Sequence, residues 1–257
     1  SNGSEYILCI NGENIYIEGL KFTGKHEAIL PKRSIFIAEN SSVEINDCVI
    51  TRNPGGGVYC GANSLVTFSN CVISFNGSGL YYGVGYGGGV LGSTYGPCYM
   101  TLCNCLITNN SASSCSTFAY SEGGGVHVGN GEATFSNCII ANNSASSTGV
   151  RDMYGRAYAS AHGGGIWGKG TFINCSFINN TVFAIYQALF GGWQYGDYKG
   201  GAIYGGGELI NCIIDTSIDG DITATYSDII GGWEGEGNID VMPRFADPQN
   251  SNYRLLD

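Results

Sequence analysis

The sequence predicts a right-handed parallel β-helix, an all-β solenoid in which short strands stack coil upon coil. Three observations predict it: a recurring cassette around a cysteine, an asparagine five residues after that cysteine, and a glycine cluster before the next cassette. Because these marks recur in a fixed order, they indicate one supersecondary unit repeated along the chain. We therefore expect a single domain over residues 1–257, with a cap and first rung in 1–24, repeat rungs in 25–230 and a closing segment in 231–257.

The cassette is well represented by residues 68–73, FSNCVI. Side chains alternate along a strand, so the cysteine and the residue two positions later are predicted to point inward together. Phe68 and its equivalents belong to the preceding strand and are also predicted to point inward. Since stacked rungs lie about 4.8 Å apart, the cysteines should form a ladder of small buried side chains. Its predicted members are Cys48, Cys71, Cys105, Cys138, Cys175 and Cys212.

The asparagine directly before each cysteine breaks the alternation, so we expect it at a corner between two strands. Asparagine tolerates left-handed backbone angles, and each amide can donate a hydrogen bond to its counterpart in a neighbouring rung. The predicted ladder would satisfy polar groups at a buried turn. It comprises Asn70, Asn104, Asn137, Asn174 and Asn211. The glycine clusters would supply the backbone angles needed at the remaining corner.

Composition excludes several other classes. The chain has 257 residues, a net charge of −10 and only 12% charged residues, with no basic stripe for nucleic acid. No apolar run reaches membrane-spanning length. There is no apolar spacing of 3.6 residues for a helical repeat, and no blade-length pattern of antiparallel hairpins for a propeller. The chain opens with polar residues and no signal peptide, so either the protein is not exported or a leader has already been removed, and we expect the second.

At these motifs the sequence resembles the β-helix repeat proteins of bacterial and archaeal cell surfaces. It is similar in particular to the repeats of the polymorphic outer-membrane proteins of chlamydiae, which pair a Gly-Gly-Ala-Ile-like element with a Phe-x-x-Asn element. Residues 200–203 and 177–180 match these two elements, and residues 237–255 look like the closing segment of such proteins. The resemblance covers most of the chain. It implies an extracellular or surface-displayed protein, often adhesive.

Insertions lie between the asparagine five residues after each cysteine and the next glycine cluster. We expect them to be loops stacked at one corner, and insertions on one face of a solenoid commonly form its binding face. Tyrosine and tryptophan among glycine and serine are also typical of binding surfaces. The alternative is that these loops fold over the corner and shield it. The predicted contact residues are Tyr81, Tyr82, Tyr86, Tyr154, Tyr158, Tyr186, Phe190, Trp193, Tyr195 and Tyr198.

These features favour a non-enzymatic structural or adhesive protein. An end rung presents an unpaired strand edge that must be capped or paired, which predicts self-association into a fibre or layer. A carbohydrate or a cell-surface protein is the other predicted partner. The alternative function is a polysaccharide-binding or polysaccharide-degrading β-helix protein.

Catalysis would need a different set of residues. A polysaccharide lyase needs a Ca²⁺-binding carboxylate cluster and a basic side chain, and a hydrolase needs paired carboxylates. The weak candidates for Ca²⁺ are Asp215, Asp219 and Asp221, whose spacing is more typical of solvated turns. The positions of His127 and His162 in the sequence do not mark either residue as catalytic. We therefore predict no catalytic residue and no cofactor.

Five cysteines lie off the predicted ladder: Cys9, Cys60, Cys98, Cys103 and Cys115. Cys98 and Cys103 flank the start of a strand and are the candidate disulfide pair.

Overall fold

The structure is a computed structural model that describes residues 7–24, 33–78, 84–150, 152–154, 156–186, 194–250 and 252–256. Nearly all of its regular structure is β-strand, and the strands of successive rungs pair in parallel. The antiparallel pairing found among the described residues joins two strands of the closing segment. These observations confirm the predicted all-β parallel solenoid. No helix in the described part of the chain has the length and apolar character needed to cross a membrane.

Each rung contributes up to three strands to the body of the solenoid, and these stack as three columns. Column a contains β1 (Leu8–Ile10), β4 (Ile35–Ile37), β7 (Val58–Cys60), β12 (Val90–Gly92) and β17 (Val126–His127). Column b contains β2 (Ile15–Glu18), β5 (Ser42–Asn46), β8 (Leu65–Ser69), β13 (Tyr99–Cys103) and β18 (Glu132–Ser136). In the last rungs, columns a and b merge into the continuous strands β22 (Ile166–Ile173), β26 (Ile203–Ile210) and β28 (Ile218–Thr225).

Column c completes the rung. It contains β3 (Lys21–Thr23), β6 (Val49–Thr51), β9 (Val72–Ser74), β14 (Leu106–Thr108), β19 (Ile139–Ala141), β23 (Ser176–Ile178), β27 (Ile213–Ile214) and β29 (Asp228–Ile229). The six cassette cysteines are all buried at its start. In most of them the thiol lies within hydrogen-bonding distance of the carbonyl two residues earlier, as from Cys71 Sγ to Ser69 O at 3.2 Å. Their neighbours on column b form a stacked apolar column, in which the rings of Phe135 and Phe172 lie 4.9 Å apart.

The asparagines before the cysteines occupy the corner between columns b and c. All five adopt left-handed backbone angles, with φ between 52° and 54°. Asn104 donates to Asn70 at 3.3 Å and Asn211 donates to Asn174 at 2.7 Å. The expectation of a buried turn is wrong, since these side chains are exposed. They lie outside the strand pairs at a sharp corner, where water reaches the amide.

The buried ladder is the second set of asparagines, five residues after each cysteine. Asn53, Asn76, Asn110, Asn143 and Asn180 are each at most 1% exposed. The Asn110 amide nitrogen donates to Asn143 Oδ1 at 3.0 Å and to the carbonyl of Ile73 at 2.8 Å. Its own Oδ1 accepts from the backbone and side-chain nitrogens of Asn76, both at 3.0 Å. Each amide in the middle of this ladder therefore uses its full hydrogen-bonding capacity.

The glycine clusters lie at the corner where the chain enters column a. Successive clusters stack so closely that a side chain has no room. A Cβ atom on Gly88 would lie 2.4 Å from the carbonyl oxygen of Gly124 and 2.5 Å from that of Ser111. One glycine of each cluster also adopts a positive φ, as at Gly123 with 65°. Close approach of the backbones explains why glycine recurs there.

The closing segment covers the last rung and then returns along the body. Trp233 packs against the end of the core and donates from Nε1 to the carbonyl of Ile222 at 3.3 Å. The strands β30 (Phe245–Asp247) and β31 (Asn252–Leu255) follow, joined by the 3₁₀ turn Pro248–Asn250. The Tyr253 hydroxyl accepts from the side chain of Asn142 at 2.9 Å. The segment is therefore attached to the body at two places.

Candidate functional site

The insertions form a second unit, which we call the fin. They stack at one corner as expected, but they form strands instead of loops. Sheet C of the fin contains the outgoing strands β10 (Gly77–Ser78), β15 (Ser111–Ser116), β20 (Ser144–Gly149) and β24 (Thr181–Tyr186). Sheet D contains the returning strands β11 (Val84–Tyr86), β16 (Phe118–Glu122), β21 (Ala157–His162) and β25 (Gln194–Lys199). The two parallel sheets lie face to face.

Small side chains fill the space between the two sheets of the fin. Alternate residues of both sheets point inward, and most of these are alanine or serine, such as Ala145 and Ala159. Three buried hydroxyls, those of Ser114, Ser121 and Ser147, lie 3.0 Å from one another. Small side chains allow the sheets to approach closely, and the serine network satisfies the polar groups enclosed there. The fin is therefore an ordered sandwich and not a loop bundle.

The outer face of sheet D carries an aromatic row. Phe118 pairs in register with Tyr158, and the rings of Tyr120 and Tyr158 lie 5.0 Å apart. Phe118 is 51% exposed. The row thus presents stacked rings along the direction of the solenoid axis.

A charged cluster joins the fin to the helix body. Glu122, at the end of β16, places Oε2 3.3 Å from Nε2 of His127 in column a. Its Oε1 lies 4.0 Å from Nδ1 of His162, at the end of β21. Nε2 of His162 lies 3.3 Å from Oδ2 of Asp197 on β25. The cluster therefore connects three strands of the fin to column a.

Aromatic rings enclose both histidines of this cluster. The ring of His127 stacks on Trp167, with centroids 4.3 Å apart, and the tilted ring of Tyr86 lies with its centroid 4.8 Å from that of His127. The ring of His162 stacks on Tyr204, with centroids 4.4 Å apart. Exclusion of water by these rings strengthens the interaction between the carboxylates and the imidazoles.

The cluster shifts two pKa values in opposite directions. Burial alone raises the pKa of the Glu122 carboxyl, but the hydrogen bonds and charges of His127 and His162 outweigh it, so this pKa lies below its ordinary value. Burial alone lowers the pKa of the His162 imidazole, but the hydrogen bonds and charges of Glu122 and Asp197 outweigh it, so this pKa is raised. The charged forms of the two groups therefore stabilise each other.

One serine hydroxyl also lies beside this cluster. The Ser160 hydroxyl lies 3.3 Å from Nε2 of His162, as a serine nucleophile would. Ser160 is, however, only 2% exposed, so a substrate has no access to it. The spacing of residues along the sequence did not predict this cluster, because His162 and Asp197 come from later rungs than Glu122 and His127.

The structure separates the predicted contact residues. Tyr86 lies in the junction with the body, and Tyr154 lies in the turn at the tip of the fin. Tyr158 lies on the outer face of sheet D, whereas Tyr186 and Tyr198 lie on the last strands of the fin. These tyrosines do not share one face, because they lie on different strands or in a turn and because side chains along each strand alternate between its two faces. Four others lie outside the described residues, namely Tyr81, Tyr82, Phe190 and Trp193, and so does the side chain of Tyr195.

The acidic residues considered for Ca²⁺ do not gather into one site. Asp215 lies between β27 and β28 and accepts from the backbone nitrogen of Asn179 at 2.8 Å, and burial raises the pKa of its carboxyl. Asp219 and Asp221 lie on β28 in register with Tyr204 and Gly206. Within the described part of the chain, no group of three or more His, Cys, Asp or Glu is arranged to hold a metal ion.

The cysteines outside the ladder are free thiols, as are those within it. Pairing of Cys98 with Cys103 does not occur, because the two side chains point to opposite sides of the wall. Cys98 is fully buried, and its Sγ lies 3.5 Å from the Ser64 hydroxyl. Cys103 faces outward and accepts a hydrogen bond from Ser136 at 3.3 Å.

Sequence reasoning missed Phe118, Tyr120 and Ile185 as surface residues. The available signal was the alternation of small and large side chains within the insertions, as in residues 118–121, FAYS. A period of two is typical of a strand with one covered face.

Comparison with known proteins bears on the fold. Residues 1–111 match the family model described as right-handed beta helix region. Neither the curated proteins nor the solved structures give a significant match. The family match and the stacked parallel strands agree on the architecture and on its right-handed coil. The resemblance to the chlamydial repeats remains a prediction.

Proposed function

We propose that this chain, a right-handed parallel β-helix repeat protein, is a non-enzymatic structural or adhesive protein that acts outside the cell or at its surface. The fin is its contact surface, and the partner is a second copy of the same chain. The resemblance to surface repeat proteins supports the location. The observation that carries the proposal is the edge of the fin, where apolar side chains and an open strand edge coincide.

The outer face of sheet C changes its chemistry at this edge. On β20 the outward positions include Ser146 and Thr148, whose polar side chains are well hydrated in water. On β24 the same register positions hold Phe183 and Ile185, which are 56% and 42% exposed. Exposed apolar side chains that lie together favour burial against a partner. The apolar pair therefore marks the strand at which contact is expected.

The backbone at this edge is also open. β24 and β25 are the last strands of sheets C and D. The following rung passes from β27 to β28 without an insertion, so no later strand in the described part of the chain pairs with them. An uncovered strand edge recruits another strand. Two copies related by a twofold axis present the same edge to each other and pair antiparallel.

Measurement of molecular mass across the micromolar concentration range tests this proposal. The double variant Phe183→Ser and Ile185→Thr copies the chemistry of β20 at the same register, so it should leave the fin folded. The wild-type chain should associate with rising concentration, and the double variant should remain a monomer. Tyr154→Ser is the matched control, since it removes an exposed aromatic ring away from the edge.

Two results would overturn the proposal. One is a wild-type chain that stays monomeric throughout the concentration range. The other is a double variant that associates as strongly as the Tyr154→Ser control.

A further inference from the structure

A groove runs along the outer face of columns a and b, outside the fin. Its first hollow holds about 590 Å³, and its lining includes Tyr99, Asn130, Glu132, Trp167 and Lys169. A second hollow of about 290 Å³ shares Glu132 and Lys169 with it and continues to Glu208 and Thr223. Together they cross the strands from β13 to β28, a span of about 19 Å at the usual strand spacing.

The groove arises from a step in the wall of the solenoid. The turns at 93–98 and 128–131 project between columns a and b, whereas β22 and β26 pass the same corner as continuous strands. The projecting wall is fixed in place. The backbone nitrogen of Asn130 donates to the carbonyl of Ser93 at 3.0 Å, and its side chain donates to the carbonyl of Thr94 at 2.7 Å. The groove is therefore formed before any ligand arrives, which lowers the entropic cost of binding.

Two aromatic side chains line the first hollow. Tyr99 is 48% exposed. The Trp167 ring is held in orientation by its stacking on His127. The Trp167 indole N–H is buried and has no hydrogen-bond partner among the described residues, which is an unusual state for such a donor. Flat apolar rings beside convergent polar groups are typical of a preformed ligand site.

The charged side chains that line the groove indicate which net charge a ligand can carry. Glu132 and Glu208 contribute two carboxylates, against one ammonium from Lys169. The chain as a whole carries a net charge of −10. An anionic polymer would therefore be repelled from the site. Hydroxyl groups of an uncharged ligand can donate to the carboxylates and accept from the lysine, and bonds to charged partners are the stronger kind.

We propose that this groove binds an extended, uncharged glycan chain. The hydrocarbon faces of its sugar rings pack on Trp167 and Tyr99, and its hydroxyls bond to Glu132, Lys169 and Asn130. The length of the groove suits an oligosaccharide better than a single sugar. This site is separate from the fin, and it does not depend on association of the chain.

Native affinity electrophoresis in gels that contain soluble glycans tests this site. β-Glucan, xylan and mannan are the uncharged probes, and polygalacturonate and alginate are the anionic comparators. The protein should carry the Phe183→Ser and Ile185→Thr substitutions, so that association at the fin does not alter its migration. At least one uncharged glycan should retard it, and the anionic glycans should not.

Glu132→Ala should weaken binding of the glycan that retards the protein by about tenfold, as expected for loss of one hydrogen bond to a charged group. Glu44→Ala is the matched control, because Glu44 is also exposed on the outer face of column b but lies outside the groove. Trp167→Phe tests the aromatic contact with little change of packing, and it too should weaken binding. The proposal is overturned if none of the uncharged probes binds, if the anionic glycans bind as well, or if Glu132→Ala binds like Glu44→Ala.

Discussion

Replacement of Asn110 by alanine should strongly destabilise the solenoid. The side chain lies in the middle of the buried asparagine ladder and is 0% exposed. Its loss leaves the carbonyl of Ile73 and two N–H donors of Asn76 without their partners at 2.8 to 3.0 Å. Each buried polar group left unsatisfied costs about 1–3 kcal/mol. Three such groups predict a loss of at least about 3 kcal/mol in the free energy of unfolding.

Urea denaturation followed by far-ultraviolet circular dichroism measures this loss. The control is Asn104→Gly, which removes an amide from the exposed ladder and retains a residue suited to the local φ of 54°. Asn104 donates to Asn70 at 3.3 Å in contact with water. We expect its loss to cost less than about 1 kcal/mol, because water replaces the bond. If both variants lose the same stability, the buried ladder contributes no more to the stability of the fold than the exposed one.

Three further predictions concern the corners, the junction and the thiols. Gly88→Ala should prevent folding or lower the melting temperature sharply, since its Cβ would lie 2.4 Å from a carbonyl oxygen, whereas Gly77→Ala, whose nearest contact is 3.9 Å, should melt like wild type. His162→Gln should be less stable than wild type at mildly acidic pH. The pKa of His162 is raised in the folded state. Its ion pairs therefore contribute fully to the stability of the protein below about pH 6.5, and this contribution is lost as the pH rises through the raised pKa. The pKa of Glu122 is lowered, so its carboxylate stays charged down to and below pH 4.5. The melting temperatures of the wild type and of His162→Gln should therefore differ most between about pH 4.5 and 6.5 and should converge at alkaline pH. A difference independent of pH would contradict the proposed ion pairs. In the native protein, an aromatic disulfide reagent should react rapidly with the exposed Cys9 and Cys115 and leave the buried ladder unmodified until the protein is unfolded. Rapid reaction of Cys105 or Cys138 would show that the core is open.

The fold was predictable because its signal is periodic. The cysteine of each cassette and the residue two positions later fall on one side of a strand whatever the rest of the chain does. Cys71 and Ile73 are both buried, as are their counterparts Cys138 and Ile140. The left-handed backbone conformation of the corner asparagines, such as Asn70 and Asn104, was equally predictable, because it is a local property of the backbone.

The fin was less predictable. Residues 111–116, SASSCS, have low intrinsic preference for strands and resemble a loop when taken alone. They form β15 because β20 and the short β10 lie on either side and complete the hydrogen bonds of its backbone. This pairing depends on the register between insertions of different rungs, which local preference does not contain.

The sequence by itself determined the repeat, the inward ladder and the places where insertions leave the body. Only the tertiary structure decided which asparagines are buried, because Asn104 and Asn110 are the same residue type and differ only in the side of the wall that they face. It also decided that Glu122, His127, His162 and Asp197 meet, and that Trp167 lines a groove. Apart from the contact between Glu122 and His127, these contacts join different rungs, and their distances depend on how far each coil is displaced along the axis.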